Sequence, residues 1–192
     1  DVAIGTTGTA IGTGQANTIA IIGQVGHTSS AAKLCNDLTS DMLWAADTEG
    51  AYCWYDNDIA NKTPYGALYN WFAVDNAHVL AIAGWRVPSD ADWTALFAFL
   101  GGDAVAGGKL KEMGLSHWNT PNTGATDEYG FKALPGGYRQ FNNGLFSSIK
   151  DNCFIWSSTD CSAYEMSKNN SNINLNTPNK KCGFSVRLMR DI

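Results

Sequence analysis

The sequence predicts an α+β fold: two helices followed by a small, mostly antiparallel sheet with long loops. Three observations carry that expectation. One segment, "GWRVPSDADWTALFAFL", has helical periodicity with a start and a stop signal. The stretch after it alternates turn pairs with short aromatic runs. The composition, 20 Gly with seven Trp, seven Tyr and eight Phe, suits many short strands and tight turns.

Elements follow in chain order. Residues 1–15, "DVAIGTTGTAIGTGQ", are Gly/Thr-rich and fit a loop or thin strand pair. Asn17 caps a short helix over "TIAIIGQV", and Ser30 a second over "AAKLCNDL", with Leu34 and Leu38 on one face. Aromatic residues become dense from about Trp44, which divides an N-terminal extension (1–43) from the main domain (44–192). "AYCWYDND" reads as a strand ending in a turn. "YGALYNWFAV" (65–74) is expected to be a helix with Leu68, Trp71 and Phe72 inward.

The clearest local signal comes next. Pro88 stops the strand "WRV", Ser89 caps a helix, and Asp92 completes a capping box. Trp93, Leu96, Phe97 and Leu100 fall at i, i+3, i+4 and i+7, so they form one buried face, and Gly101-Gly102 ends the helix. Beyond it, "HWNTPNTGATDEYGFKALPGGYRQFNNGLF" places turn pairs between short strands. "CFIWSS", "NINLN" and "GFSVRLMR" are the last strands. Trp71, Trp85, Trp93, Trp118 and Trp156 are the expected centres of the core.

Composition narrows the function classes. The chain has 192 residues, 44% hydrophobic and 16% charged, enough for one well-buried domain. A net charge of −5 with no Lys/Arg cluster argues against a nucleic-acid partner. No apolar run approaches the roughly 18 residues that span a bilayer, so no direct membrane insertion is expected. The chain opens on Asp1, which leaves room for a trimmed leader or anchor. Cys35, Cys53, Cys153, Cys161 and Cys182 contain no CxxC pair, and His27, His78 and His117 are scattered. Zinc is therefore not expected, while one or two disulfides stay open.

Seven ordered motifs carry a family resemblance: "AYCWYDND", "YGALYNWFAV", "GWRVPSDADWTAL", "AGGKLKE", "HWNTPNTGATDEYGFKALPGGYR", "WSST" and "GFSVRLMRD". Together, over about residues 51–192, they resemble the Fibrobacter succinogenes major paralogous domain. The resemblance implies a C-type lectin-like fold, related in architecture to formylglycine-generating enzymes. The first 40 or so residues look more like a segment of another lectin-like bacterial family. Several members of this fold are variable proteins of diversity-generating retroelements, in which template adenines are miscopied and AAC-type codons scatter. Their variable segment lies between a "WSST" strand and a "GFSVR" strand.

This chain has six asparagines within residues 169–179 of that interval. Asn is a poor strand former, so Asn172, Asn174 and Asn176 on one side of "NINLN", opposite Ile173 and Leu175, are not expected to serve sheet stability. In "CFIWSS", Phe154 and Trp156 are expected inward and Cys153 and Ile155 outward, as contact surface. In the closing strand Phe184, Val186 and Leu188 face the core.

The resemblance thus implies a ligand-binding variable surface built from Asn152, Cys153, Ile155, Asp160, Cys161, Ser162, Tyr164, Lys168, Asn170, Asn172, Asn174, Asn176, Thr177, Pro178, Lys181 and Cys182. Asp, Cys, Ile, Pro, Ser, Thr and Tyr are reachable by scattering AAC. Glu165, Met166, Lys168 and Lys181 are not, and are scaffold or differently templated. The implied partner is a protein or glycan receptor, met on a cell surface or virion. A fixed-sequence adhesin or lectin is the alternative.

Enzymatic readings are weaker. A reactive thiol needs an electropositive or His-paired setting; Lys181 adjoins Cys182, but no His lies in the tail. No His sits in a nucleophile motif, and His117 is expected to bond backbone in a loop. Adjacent Asp127 and Glu128 would face opposite ways on a strand. Asp56, Asn57 and Asp58 offer oxygens to a hard cation such as calcium, although turn chemistry explains them equally well. No enzyme activity, cofactor or metal is assigned.

Overall fold

The computed structural model describes residues 50–76, 80–81 and 83–190. The expected elements in residues 1–49, including both short N-terminal helices, lie outside the described residues, as do Cys35, His27 and His78.

Short elements open the described chain. Strand β1 (Tyr52–Cys53) pairs antiparallel with β2 (Leu68–Tyr69). Between them run two 3-10 turns and the short α1 (Lys62–Tyr65). The helix expected over 65–74 is confined to α2 (Trp71–Asp75). Gly66 at φ 78 breaks the chain before it, and the Asn70 side chain accepts from the Ala73 N–H, so the helix starts late. Leu68 and Trp71 are buried as expected, but Leu68 is a strand residue.

The capped helix is where the sequence puts it. After β3 (Trp85–Arg86), α3 spans Asp90–Phe99. The Asp92 N–H donates to Ser89 Oγ, and Asp92 Oδ2 accepts from the Ser89 N–H at 2.8 Å, a complete capping box. Trp93, Phe97 and Leu100 are buried and Leu96 packs beside them. Helix α4 (Asp103–Leu110) follows directly.

The main sheet has five strands in the order β5-β4-β6-β7-β8: β4 (Gly136–Arg139), β5 (Phe146–Ile149), β6 (Asn152–Trp156), β7 (Ala163–Ser167) and β8 (Asn174–Asn176). All its pairs are antiparallel except β4–β6. The architecture is α+β, with few helices and small sheets. The closing segment departs from one long strand: Gly183, Phe184 and Ser185 make isolated bridges to Arg139, Tyr69 and Ile155, and only β9 (Met189–Arg190) pairs regularly, with β3.

Apolar groups cover both faces of the central strands. On one face Trp156 and Ala163 join Tyr69, Trp71, Val74, Phe184 and Leu188, with Phe154, Trp85 and Val186 packed against them. On the other, Cys153, Ile155, Tyr164 and Met166 meet Trp93, Phe97, Leu100, Ala106 and Leu110 from α3 and α4, together with Trp118 and Phe131. The Trp156 indole N–H donates to the Tyr69 carbonyl at 2.6 Å, and Trp118 to that of Ala133 at 3.0 Å, so these two indoles are satisfied, whereas the buried Trp71 and Trp93 indoles have no hydrogen-bond partner among the described residues.

This double covering corrects one expectation. Cys153 and Ile155 are 2% and 1% exposed, not outward. β6 is an interior strand with packed layers above and below it, so Cys153 and Ile155 do not reach water, and on the other parity only Asn152 and Phe154 are half-exposed. Phe154 and Trp156 do turn toward the other core.

Candidate functional site

The hairpin β6–β7 and the edge strand β8 frame the Asn-rich segment. Register sets which face each residue shares: Ile155 lies opposite Tyr164, Tyr164 opposite Leu175, Glu165 opposite Asn174 and Ala163 opposite Asn176. β7 was not anticipated as an interior strand. Four of its five residues are buried, and Tyr164 is held between Trp93 and Phe97, with ring centroids at 5.7 and 5.0 Å.

Buried members of the anticipated surface are Cys153, Ile155, Cys161, Ser162, Tyr164 and Cys182. Each has a physical reason to be inside. Cys161 Sγ donates to the Pro178 carbonyl at 3.1 Å, and Ser162 Oγ donates to Asp90 Oδ2 at 3.0 Å, tying the loop to the start of α3. Cys182 packs in the same cluster as Trp71 and Phe184. Asn152, Lys168, Asn170, Asn176, Pro178 and Lys181 are half-buried, whereas Asp160, Asn172, Asn174 and Thr177 are exposed.

The exposed members line the sheet's edge and its flanking turns rather than a sheet face. Asn170 and Lys168 stand at one end of β7, and Asp160 and Pro178 at the other, about 17 Å away for a five-residue strand. Leu175 shares the helix-side face with Ile173 but is 58% exposed, because it lies beyond the cover of α3 and α4, while Ile173 is buried. Asn residues divide into two kinds. Asn170 Oδ1 accepts from the Asn172 N–H and Asn179 Oδ1 from the Lys181 N–H, both at 3.0 Å, and these are turn formers. Asn169, Asn172 and Asn174 instead present their side chains to solvent.

What holds this rim is main chain. The Thr123 N–H donates to the Lys168 carbonyl at 2.8 Å, Gly108 to Ser171 at 3.0 Å, and Ile173 to Asp103 at 2.8 Å. A Cβ on Gly107 would run into the Asn172 carbonyl, and one on Gly108 into that of Gly124. The paired glycines in "AGGKLKE" therefore let the rim's backbone lie directly on α4. Lys111, fully buried, reaches the same place and donates from Nζ to the Thr123, Ser167 and Asn170 carbonyls at 2.9, 2.8 and 2.9 Å. Sequence reasoning missed these residues as parts of the site. A Gly pair inside a helix, each about 1 kcal/mol worse than Ala, was the available signal of close approach.

A family model described as the Fibrobacter succinogenes major domain matches residues 22–190. The chain is a member of the Fibrobacter succinogenes major domain family. The match begins at residue 22, inside the stretch read as an N-terminal extension. No curated protein and no solved structure matches the chain.

Within this Fibrobacter succinogenes major domain, the thiols are poorly suited to nucleophilic work. Cys153, Cys161 and Cys182 are free thiols. Burial pushes Cys153 up to about 12 and Cys161 up to about 11, and it raises Cys182 as well. The thiolate, not the thiol, attacks, and burial disfavours the thiolate of these three groups at neutral pH. His117 pairs through Nδ1 with Glu112 Oε2 at 2.7 Å rather than with backbone. Asp127 accepts from the Lys132 N–H, while Glu128 pairs with Lys109, so the two acids serve different partners. Asp58 accepts from the Ala60 N–H as a helix cap. Among the described residues no group of three or more His, Cys, Asp or Glu is placed to hold a metal ion, and no helix is long and apolar enough to cross a membrane.

Proposed function

We propose that this chain is a ligand-binding domain of C-type lectin-like fold, with no catalytic role. Its rim, residues 168–181 together with Asn152 and Asp160, meets a protein or glycan receptor outside a cell or virion. We further infer that the rim is varied by a diversity-generating retroelement. The carrying observation is how the rim is held. Three main-chain hydrogen bonds and one buried lysine, acting on main-chain carbonyls, fix residues 168–173. None of them depends on the side chains of Asn169, Asn172 or Asn174, which point to solvent. Exposed substitutions of this kind usually shift stability by no more than about 0.5 kcal/mol. Rigid presentation also limits the ordering entropy on contact.

The burial pattern narrows the proposal. Exchange at Cys153, Ile155 or Tyr164 would disturb a packed core, so variation belongs at the exposed and half-exposed positions. Two measurements test the reading. DNA flanking the gene is sequenced for a near-identical repeat that differs at adenines beside a reverse transcriptase. The expected differences fall at codons for Asn169, Asn172, Asn174, Asn176 and Thr177. Absence of a repeat would leave a fixed-sequence adhesin or lectin, and differences at buried codons would contradict the rim. Separately, the purified domain is screened on glycan and surface-protein arrays. Binding that survives a combined Asn172→Lys and Asn174→Lys exchange would remove the rim as the contact surface.

A further inference from the structure

The Lys111 ammonium is withdrawn from bulk solvent: its side chain is completely buried. Such a charge ordinarily has a carboxylate partner. Among the described residues none forms an ion pair with it. Instead, each of the three N–H donors of the ammonium has its own carbonyl acceptor, and the Trp118 ring lies 5.3 Å from Nζ. The acceptors come from separate segments. Thr123 is in the loop after α4, Ser167 is the last residue of β7, and Asn170 is in the turn that starts the rim. A methionine would fill the same space, so what the ammonium adds is a fixed relation between three pieces of backbone.

We propose that Lys111 is the positioning residue of the rim: its ammonium holds the 167–171 turn against α4, and losing that charge frees the turn while the sheet stays intact. That the turn carries the receptor surface rests on the reading above; the positional claim does not. Burial pulls the ammonium down to about 8, whereas the three carbonyls favour the charged form because they accept only from N–H. A neutral amine keeps two donors and turns a lone pair toward the third oxygen. The other ionisable groups on the surrounding elements are Asp103 and Lys109 on α4, Glu112, His117, Asp127, Glu128, Tyr129 and Lys132 after it, and Lys150, Asp151, Cys153, Tyr164, Glu165 and Lys168 around the hairpin, with Cys153 and Tyr164 raised by burial. Lys109 pairs with Glu128, His117 with Glu112, and Lys168 with Asp151.

Amide hydrogen exchange reads the position directly. Gly108, Thr123 and Ile173 report the clamp, and Trp156 and Ser185, bonded within the sheet, serve as references. In Lys111→Met at pH 7, clamp protection is expected to fall by about tenfold or more, as for loss of a charged hydrogen bond. The references should move by less than about twofold. In the wild-type chain, raised from about pH 7 to about pH 10, clamp protection corrected for intrinsic rates should fall with the midpoint of the Lys111 side-chain NMR shift. The same titration of Lys111→Met should be flat. Equal loss at clamp and sheet, no loss at either, or a wild-type clamp indifferent to the Lys111 midpoint overturns the proposal. If the variant does not fold, the wild-type titration decides alone. Receptor binding is not part of the readout, so failure of the binding proposal leaves this result standing.

Discussion

The N–H of Gly108 donates to the carbonyl of Ser171 at 3.0 Å, so helix α4 and the Asn-rich rim touch backbone to backbone. The contact exists because neither Gly107 nor Gly108 has a side chain to hold the chains apart. It makes the rim's location a property of the frame, independent of the side chains the rim displays.

A sign reversal follows for Gly108→Ala. In an ordinary helix interior this exchange stabilises by about 1 kcal/mol. Here the new methyl group meets the Gly124 carbonyl, so we expect a loss of about 2 kcal/mol or more in thermal or urea unfolding. Asn172→Ala and Asn174→Ala, measured beside it, should stay within about 0.5 kcal/mol of wild type.

Ile155→Ala discriminates between an interior and an exposed central strand. With Ile155 1% exposed between Tyr164 and the helices, the expected loss is about 2–4 kcal/mol in chemical denaturation. A near-neutral result would return this strand to the surface.

Acid stability should depend on Asp92. The Arg86 guanidinium, bonded through both nitrogens, and then Ser89 hold its carboxyl well below the usual carboxylate range. A depressed folded value means the contribution is fully present above the unfolded pKa, about 3.9. It is lost as pH falls through the lower folded value. Asp92→Asn should cost about 1 kcal/mol at pH 7, the exposed flank of Arg86 limiting the ion pair's share. The difference from wild type should shrink as pH falls below about 4 and disappear only once the folded carboxyl itself is protonated, as read from Tm against pH.

Thiol labelling should separate the cysteines by burial. At about pH 8, Cys153, Cys161 and Cys182 should resist a disulfide reagent in the native protein and label only on unfolding, as followed by peptide mass mapping. Rapid native labelling at Cys153 would be incompatible with its core position.

Local chemistry was legible in the sequence. Ser89, Asp92 and the apolar spacing of Trp93, Phe97 and Leu100 specify α3 without reference to the rest of the fold, and the helix appears there. Elements whose limits depend on distant partners were not. "YGALYNWFAV" has helical spacing, but Leu68 and Tyr69 are taken by β1, and Tyr69 also exchanges backbone hydrogen bonds with Phe184. The candidate site was half legible for the same reason. Alternation along "CFIW" predicts one wet and one dry face, an expectation that fails for a strand with layers on both sides. The unbroken apolar run in "CFIW" was the usable warning. Solvent-facing Asn172 and Asn174 could be identified because the edge of a sheet exposes what its centre hides. Lys111 could not, since nothing local distinguishes a lysine that points into carbonyls from one that points into water.

β8 is the outermost strand of its sheet and only three residues long. A sheet margin of that kind invites pairing with another copy when it is long and aliphatic. Amide side chains on either side of Leu175 keep the margin short and wet. Substitution at this margin is therefore limited by colloidal behaviour before it is limited by folding: a β8 rich in valine or isoleucine is expected to fold and then be lost to self-association.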